Sequence, residues 1–199
     1  MSESPELHTP IRRHGMCFDC DSDVFDAVCL EVLKTKKEVR WLEIGMWKGY
    51  TARGLKSFIE SQGGTLDYWG IDPGLLEKPV SPFEGAHFIE GKSEECFHLF
   101  PGLFDVVFID GNHSRNGVIL DTFNYEKKVA PGGFMLFHDT NPKCQGTGYE
   151  YSGPNIPEFG IAVREAWEMI GWPWAPWSLF MEKYPMDHHQ NGTAAFRRT

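Results

Sequence analysis

Four residues suited to acid–base or metal chemistry fall in two short segments. Asp110 and His113 lie in Phe108-Ile109-Asp110-Gly111-Asn112-His113, and His138 and Asp139 in Phe137-His138-Asp139-Thr140. Each segment closes an apolar run, Val106-Val107-Phe108-Ile109 or Phe134-Met135-Leu136-Phe137, of the kind expected for strands buried on both faces. Neighbouring parallel strands lie about 4.8 Å apart, so side chains just past their ends can converge on one point. Two carboxylates and an imidazole gathered there would suit a divalent ion. The plainer alternative is that Asp110 caps a helix and His138-Asp139 is an ordinary surface pair. Either segment alone favours that alternative; the two together favour a site.

A second constellation lies upstream, in Glu43-Ile44-Gly45-Met46-Trp47-Lys48-Gly49-Tyr50-Thr51. Gly45 lets backbone approach a ligand closely, and Gly49 lets a following helix pack near the strand. The G-x-G-x-x-G fingerprint of dinucleotide sites is absent, because Met46-Trp47 fills the space it needs. Glu43 would attract an ammonium rather than a pyrophosphate. A cofactor with an α-amino group therefore fits better than a nicotinamide dinucleotide, while a plain tight turn is the other reading. Asp72, in Gly70-Ile71-Asp72-Pro73, stands where an acid could take hydrogen bonds from a ribose diol, though Asp-Pro also simply opens turns.

The elements that must position these residues alternate. Residues 1–20 read as a loose arm. Asp21-Ser22 offers a helix cap before the stripe Val24, Phe25, Val28, Cys29, Val32 and Leu33. Strand signals cover Val39–Ile44, Leu66–Ile71, His87–Glu90, Asp105–Ile109 and Phe134–Phe137. One intervening helix carries Ala52, Leu55, Phe58 and Ile59 and stops at Gly63-Gly64. Another carries Ile119, Leu120 and Phe123 on its apolar face and is ended by Pro131-Gly132-Gly133. This order predicts one α/β domain over 1–199, a Rossmann-like doubly wound sheet with ligands at the carboxyl ends of its strands. Residues 141–158, rich in glycine and proline and without periodicity, are expected to form a lid loop. A helix stripe of Phe159, Val163, Trp167 and Ile170 follows. Trp177–Met181 and Thr193–Phe196 are expected to close one edge of the sheet as an antiparallel pair.

Composition narrows the partners. A net charge of −9 over 199 residues repels phosphate backbones, so nucleic acid is not the expected substrate. No stretch approaches the roughly 20 apolar residues of a membrane span. Five cysteines and the lack of a signal-peptide pattern point to the cytoplasm. Cys17-x-x-Cys20 has no second ligand pair at zinc spacing, and Asp19-x-Asp21-x-Asp23 lacks the glycine and glutamate of a calcium loop. Trp172, Trp174 and Trp177 are read as core or lid packing.

E-I-G-M-W-K-G-Y-T resembles the first motif of the catechol-type O-methyltransferases within the class I methyltransferases. I-D-G-N-H-S and A-P-G-G-F-M-L-F-H-D-T resemble the metal-dependent branch (methyltransferase family 24-like) that includes sugar and macrolide O-methyltransferases. That broader group also holds cephalosporin hydroxylase-like proteins. The resemblance covers about Trp41 to Thr140. It implies S-adenosylmethionine as cofactor, with Gly45 and its neighbours on the methionine moiety, Asp72 on the ribose, and Ser93 and Glu94 on the adenine. Glu43, Gly49 and Asp110 complete that cofactor set. It also implies a divalent metal held by Asp110, His138 and Asp139, with His113 as the catalytic base. His138 departs from the pattern, since many relatives carry a carboxylate there. An all-oxygen site would favour magnesium, whereas an imidazole makes manganese, iron or zinc competitive. The resulting expectation is methyl transfer to a hydroxyl of a small-molecule acceptor, with a homo-oligomer left open. A non-methylating relative and a catalytically silent cofactor-binding protein are the alternatives.

Overall fold

The computed structural model describes residues 19–74, 83–143, 162–185 and 192–199. The N-terminal arm up to residue 18, residues 144–158 of the expected lid, and Phe159 of the expected helix stripe lie outside the described residues. Strands β1 (Glu38–Ile44), β2 (Thr65–Asp72), β3 (His87–Glu90), β4 (Phe104–Ile109), β5 (Val129–Phe137), β6 (Trp177–Lys183) and β7 (Thr193–Arg198) form one sheet in the order β3-β2-β1-β4-β5-β7-β6. The first five run parallel, and β7 is antiparallel to both β5 and β6. The expected α/β architecture with an antiparallel pair closing one edge is therefore observed, with β6 outermost. Helices α1 (Asp19–Leu33), α2 (Tyr50–Ser61), the single turn α3 (Ser93–Cys96), α4 (Arg115–Tyr125) and α5 (Val163–Ile170) supply the crossovers and flanks.

Strand alternation splits the core into two layers. Val106, Phe108, Phe134 and Leu136 face α1 and α2 with Val24, Phe25, Val28, Leu55 and Ile59. Val107, Ile109, Met135 and Phe137 face the opposite side, with Val118, Ala166 and Trp167. A run apolar at every position is what a strand covered on both sides requires. Trp172 and Trp177 are buried, with ring centroids 5.2 Å apart and Trp172 5.6 Å from Phe137, so they pack the core as expected. Among the described residues no helix is long and apolar enough to cross a membrane.

Three local expectations are corrected. Asp21 and Ser22 do not cap α1, which already begins at Asp19; both are buried inside it. Asp21 is held there by Thr193, whose hydroxyl donates to Oδ1 at 2.8 Å from the far end of the chain. Because Asp19, Asp21 and Asp23 lie on a helix, they cannot wrap a calcium ion in the manner of a calcium loop.

The inward face of α4 is also rotated from the expected one. Val118, Asp121, Thr122 and Tyr125 are buried, while Leu120 and Phe123 are about half exposed, 50% and 47%. Polar side chains occupy the inner face because each finds a hydrogen bond there, as Thr122 does to the carbonyl of Val118. Finally, Pro131-Gly132-Gly133 belongs to β5 rather than to the end of α4, which stops at Tyr125. A Cβ on Gly133 would come within 2.7 Å of the Asp105 carbonyl, so this glycine permits strand contact where the β4–β5 register shifts.

Candidate active site

β4 and β5 pair side by side up to Ile109 and Phe137, so Asp110, His138 and Asp139 emerge together at one sheet end. The amide of His138 donates to the Ile109 carbonyl (3.0 Å) and that of Asp110 to the Ile44 carbonyl (2.8 Å), fixing the three strand ends to one another. His113 follows one turn later. Its position is set by the start of α4, where the Ser114 hydroxyl accepts from the Gly117 amide and Asn112 Oδ1 accepts from the Ser114 amide. Gly117 leaves room for Asn112, which a Cβ there would meet at 2.5 Å.

All four residues singled out from the sequence meet here. His113 Nδ1 stands 2.9 Å from Asp139 Oδ2, and His113 Nε2 3.2 Å from Asp110 Oδ1. His138 Nδ1 lies 2.8 Å from that same Asp110 oxygen and 3.7 Å from Asp139 Oδ1. His138 is 4% exposed, and neither ring nitrogen makes a directed hydrogen bond despite the close oxygens. Asp139 reaches the cluster from a left-handed backbone, φ 54°, a conformation costly for a non-glycine residue and concentrated at functional sites. One ligand atom each from Asp110, His113 and His138 falls within 4.8 Å of the others. The geometry thus groups His113 with the candidate ligands and places Asp139 as its hydrogen-bond partner. Asp21 stands behind, Oδ2 3.7 Å from His138 Nε2.

The charges in this cluster are strongly coupled. Burial works against charged rings, yet the hydrogen bonds and field of Asp110 and Asp139 push His113 up to about 10. The same carboxylates outweigh burial and hold His138 well above the ordinary histidine range. Burial would raise Asp110, but the two histidines hold it below the usual carboxylate range. Protonated imidazoles therefore supply the positive charge that two buried acids demand, which is the charge a divalent cation would bring.

The upstream turn abuts this cluster. Gly45 has φ +87°, and a Cβ on it would lie 2.2 Å from the Asp110 carbonyl oxygen and 2.6 Å from Gly111 Cα. Only glycine fits there. Gly49, at φ 71°, begins α2 in the left-handed region, so its need is conformational. Asp72 accepts from the Trp47 amide through Oδ2 (2.9 Å) and from the Gly74 amide through Oδ1 (3.0 Å). It braces the turn and retains free lone pairs for a diol. Ser93 and Glu94 open α3, which follows β3 and packs against α4.

Glu43 lies deeper than its place at a strand end suggests. It is 1% exposed, and the Tyr68 hydroxyl donates to its Oε2. Burial pushes its pKa up to about 8 against the lowering bond from Tyr68. A folded-state value above the unfolded one means its stabilisation is full below about pH 4.5 and lost as pH rises through about 8. Glu43→Gln, which cannot ionise, is therefore expected to flatten the decline in thermal stability between about pH 5 and 8, a change on the order of a few kcal/mol. Parallel melting curves for both proteins across that range would contradict the assignment.

Sequence reasoning missed two buried acids, Asp21 and Asp121. The available signal was a carboxylate set at an inward position of a helical pattern, three residues before Val24 and three after Val118.

Residues 42–140 match the methyltransferase domain family. Over those residues, just under half of the chain, the sequence is similar to methyltransferase domains. No curated protein matches the sequence. The fold is similar to an O-methyltransferase from Bacillus cereus solved with S-adenosylhomocysteine, at TM-score 0.59 and 15% identity over 88% of this chain and 81% of that one. It is similar also to the O-methyltransferase TomG from Streptomyces achromogenes, involved in tomaymycin synthesis and solved with S-adenosylmethionine (0.60; 18%; 89% and 80%). An rRNA methylase from Streptococcus thermophilus shares the fold as well (0.62; 9%; 92% and 99%). At such identities the likeness is one of fold.

Proposed function

We propose that this protein moves a methyl group from S-adenosylmethionine to a hydroxyl of a small molecule, with a divalent cation at the Asp110 cluster. The observation that carries this reading is adjacency: the Gly45 turn, where the methionine end of the cofactor is expected, touches the backbone of the residue that anchors the acid–imidazole cluster. In the transfer the acceptor oxygen attacks the methyl carbon, the carbon–sulfur bond breaks with its electrons going to sulfur, and the hydroxyl proton must leave. Most of the protein's task is alignment of oxygen, carbon and sulfur. An alcohol or phenol needs an acid–base cluster beside the methyl group, and this is what Asp110, His113, His138 and Asp139 provide.

The donor set suits the cation. His138 is buried with both nitrogens lacking a directed hydrogen bond, and two carboxylates face it. Asp110 and His138, with Asp139 or His113, would hold the ion; when bound it supplies Lewis acidity that lowers the acceptor's pKa. The imidazole content favours manganese, iron or zinc over magnesium. Competition from a cation for the carboxylates would also release His113 from its two acids and return the ring to the neutral form that accepts a proton. The net charge of −9 supports a small acceptor over a nucleic acid, and residues 141–158 are proposed to cover it.

The test is a methyl-labelled donor incubated with the protein, manganese and extracts separated into small-molecule, protein and RNA fractions. The reading predicts label in hydroxylated small molecules, abolished by chelation. Label confined to RNA or protein would overturn the acceptor class, and full transfer under chelation would remove the cation.

A further inference from the structure

We propose that Asp121 is a positioning residue for cofactor binding, clamping the turn at Ser93 from helix α4 without itself touching the ligand. The inference rests on the cofactor reading above, in which Ser93 and Glu94 face the adenine.

Two hydrogen bonds reach Ser93 from successive turns of α4. The Ser93 hydroxyl donates to Asp121 Oδ1 at 2.5 Å, and the Tyr125 hydroxyl donates to the Ser93 carbonyl at 2.8 Å. Residues four apart stand one above the other on a helix face, so α4 grips one residue by both side chain and main chain. That residue is the first of α3, a helix of one turn with no buried residue of its own. A turn so short has little intrinsic stability, and its place is set by what holds its ends.

Packing alone gives no reason for the acid. Asp121 is 1% exposed, and its Oδ2 has no hydrogen-bond partner. Burial beside Glu94, opposed by the Ser93 bond, pushes its pKa up to about 7. A buried carboxyl with one oxygen unsatisfied destabilises the fold, so its retention is explained by the bond it makes. That bond also commits the Ser93 hydrogen, leaving the hydroxyl oxygen of Ser93 as an acceptor for a ligand donor such as the adenine amino group.

The experiment is calorimetric titration of the full chain with S-adenosylhomocysteine, repeated with 5′-methylthioadenosine, which carries the adenosine but not the amino-acid end. Asp121→Ala is expected to raise the Kd for both ligands about tenfold, one hydrogen bond's worth. Its KM for cofactor should rise likewise with kcat at saturation unchanged. Asp121→Asn, which keeps an oxygen toward Ser93, should recover most of the affinity and guards against a variant that fails to fold. In a Ser93→Ala background Asp121→Ala should add nothing. Wild-type affinity in a folded Asp121→Ala protein, or the same loss with Ser93 already removed, would overturn the proposal. If the unmodified protein binds neither ligand, the cofactor reading itself falls, which is a distinct result.

Discussion

Gly45→Ala is expected to abolish cofactor binding, with a loss in affinity of roughly a hundredfold or more. A methyl group at this position would sit 2.2 Å from the Asp110 carbonyl oxygen, and the backbone at φ +87° disfavours any L side chain. Left-handed strain costs about 1–3 kcal/mol and overpacking about as much again, together enough for a factor of about a hundred. The obstacle is backbone, so no side chain can swing aside to relieve it. Relief requires β1 and β4 to separate at their carboxyl ends, where cofactor and cluster meet. Equilibrium dialysis with labelled S-adenosylmethionine would check this, with a melting curve to confirm that the sheet remains folded. Near-normal binding by a folded Gly45→Ala protein would place the cofactor elsewhere.

The second large effect concerns the cluster. Asp139→Ala is expected to lose both tightly held manganese and turnover, the latter by roughly a hundred- to ten-thousandfold. His113→Ala is expected to lose turnover by a similar factor while keeping cofactor affinity. Electron paramagnetic resonance of manganese measures the ion, and a labelled-methyl assay the rate. His113 is also the residue on which two roles compete, since it lies within ligand distance of Asp110 and His138 while bonding Asp139. Retained manganese in His113→Ala identifies it as a base; lost manganese identifies it as a ligand. An Asp139→Ala protein that keeps both ion and rate would remove the cluster from the mechanism.

The strand ends were legible because a parallel sheet makes them so. Runs such as Val106–Ile109 and Phe134–Phe137 must be buried on both faces, and residues directly after them must gather at one end of the sheet. Asp110, His113, His138 and Asp139 follow from that rule without knowledge of any helix packing. The inner face of α4 does not. Leu120 and Phe123 are apolar yet half exposed, while Asp121 points inward because Ser93, from another unit of the fold, supplies its partner. Asp21 escaped for the same reason: Thr193, which holds it, comes from the last strand. Hydrophobic periodicity records burial of apolar surface and carries no sign of a polar residue satisfied by a distant one. The glycines of Pro131-Gly132-Gly133 misled similarly, since a break signal for a helix is also a contact or bulge signal for a strand.

Calorimetric titration of the full chain with S-adenosylhomocysteine, in the presence of manganese and in parallel with NADH, tests the central claim most directly. The account predicts saturable one-site binding of S-adenosylhomocysteine and none of NADH, because the Gly45 turn lacks the glycine fingerprint and carries a buried acid at Glu43. Binding of NADH with no heat from S-adenosylhomocysteine at millimolar concentration would contradict it.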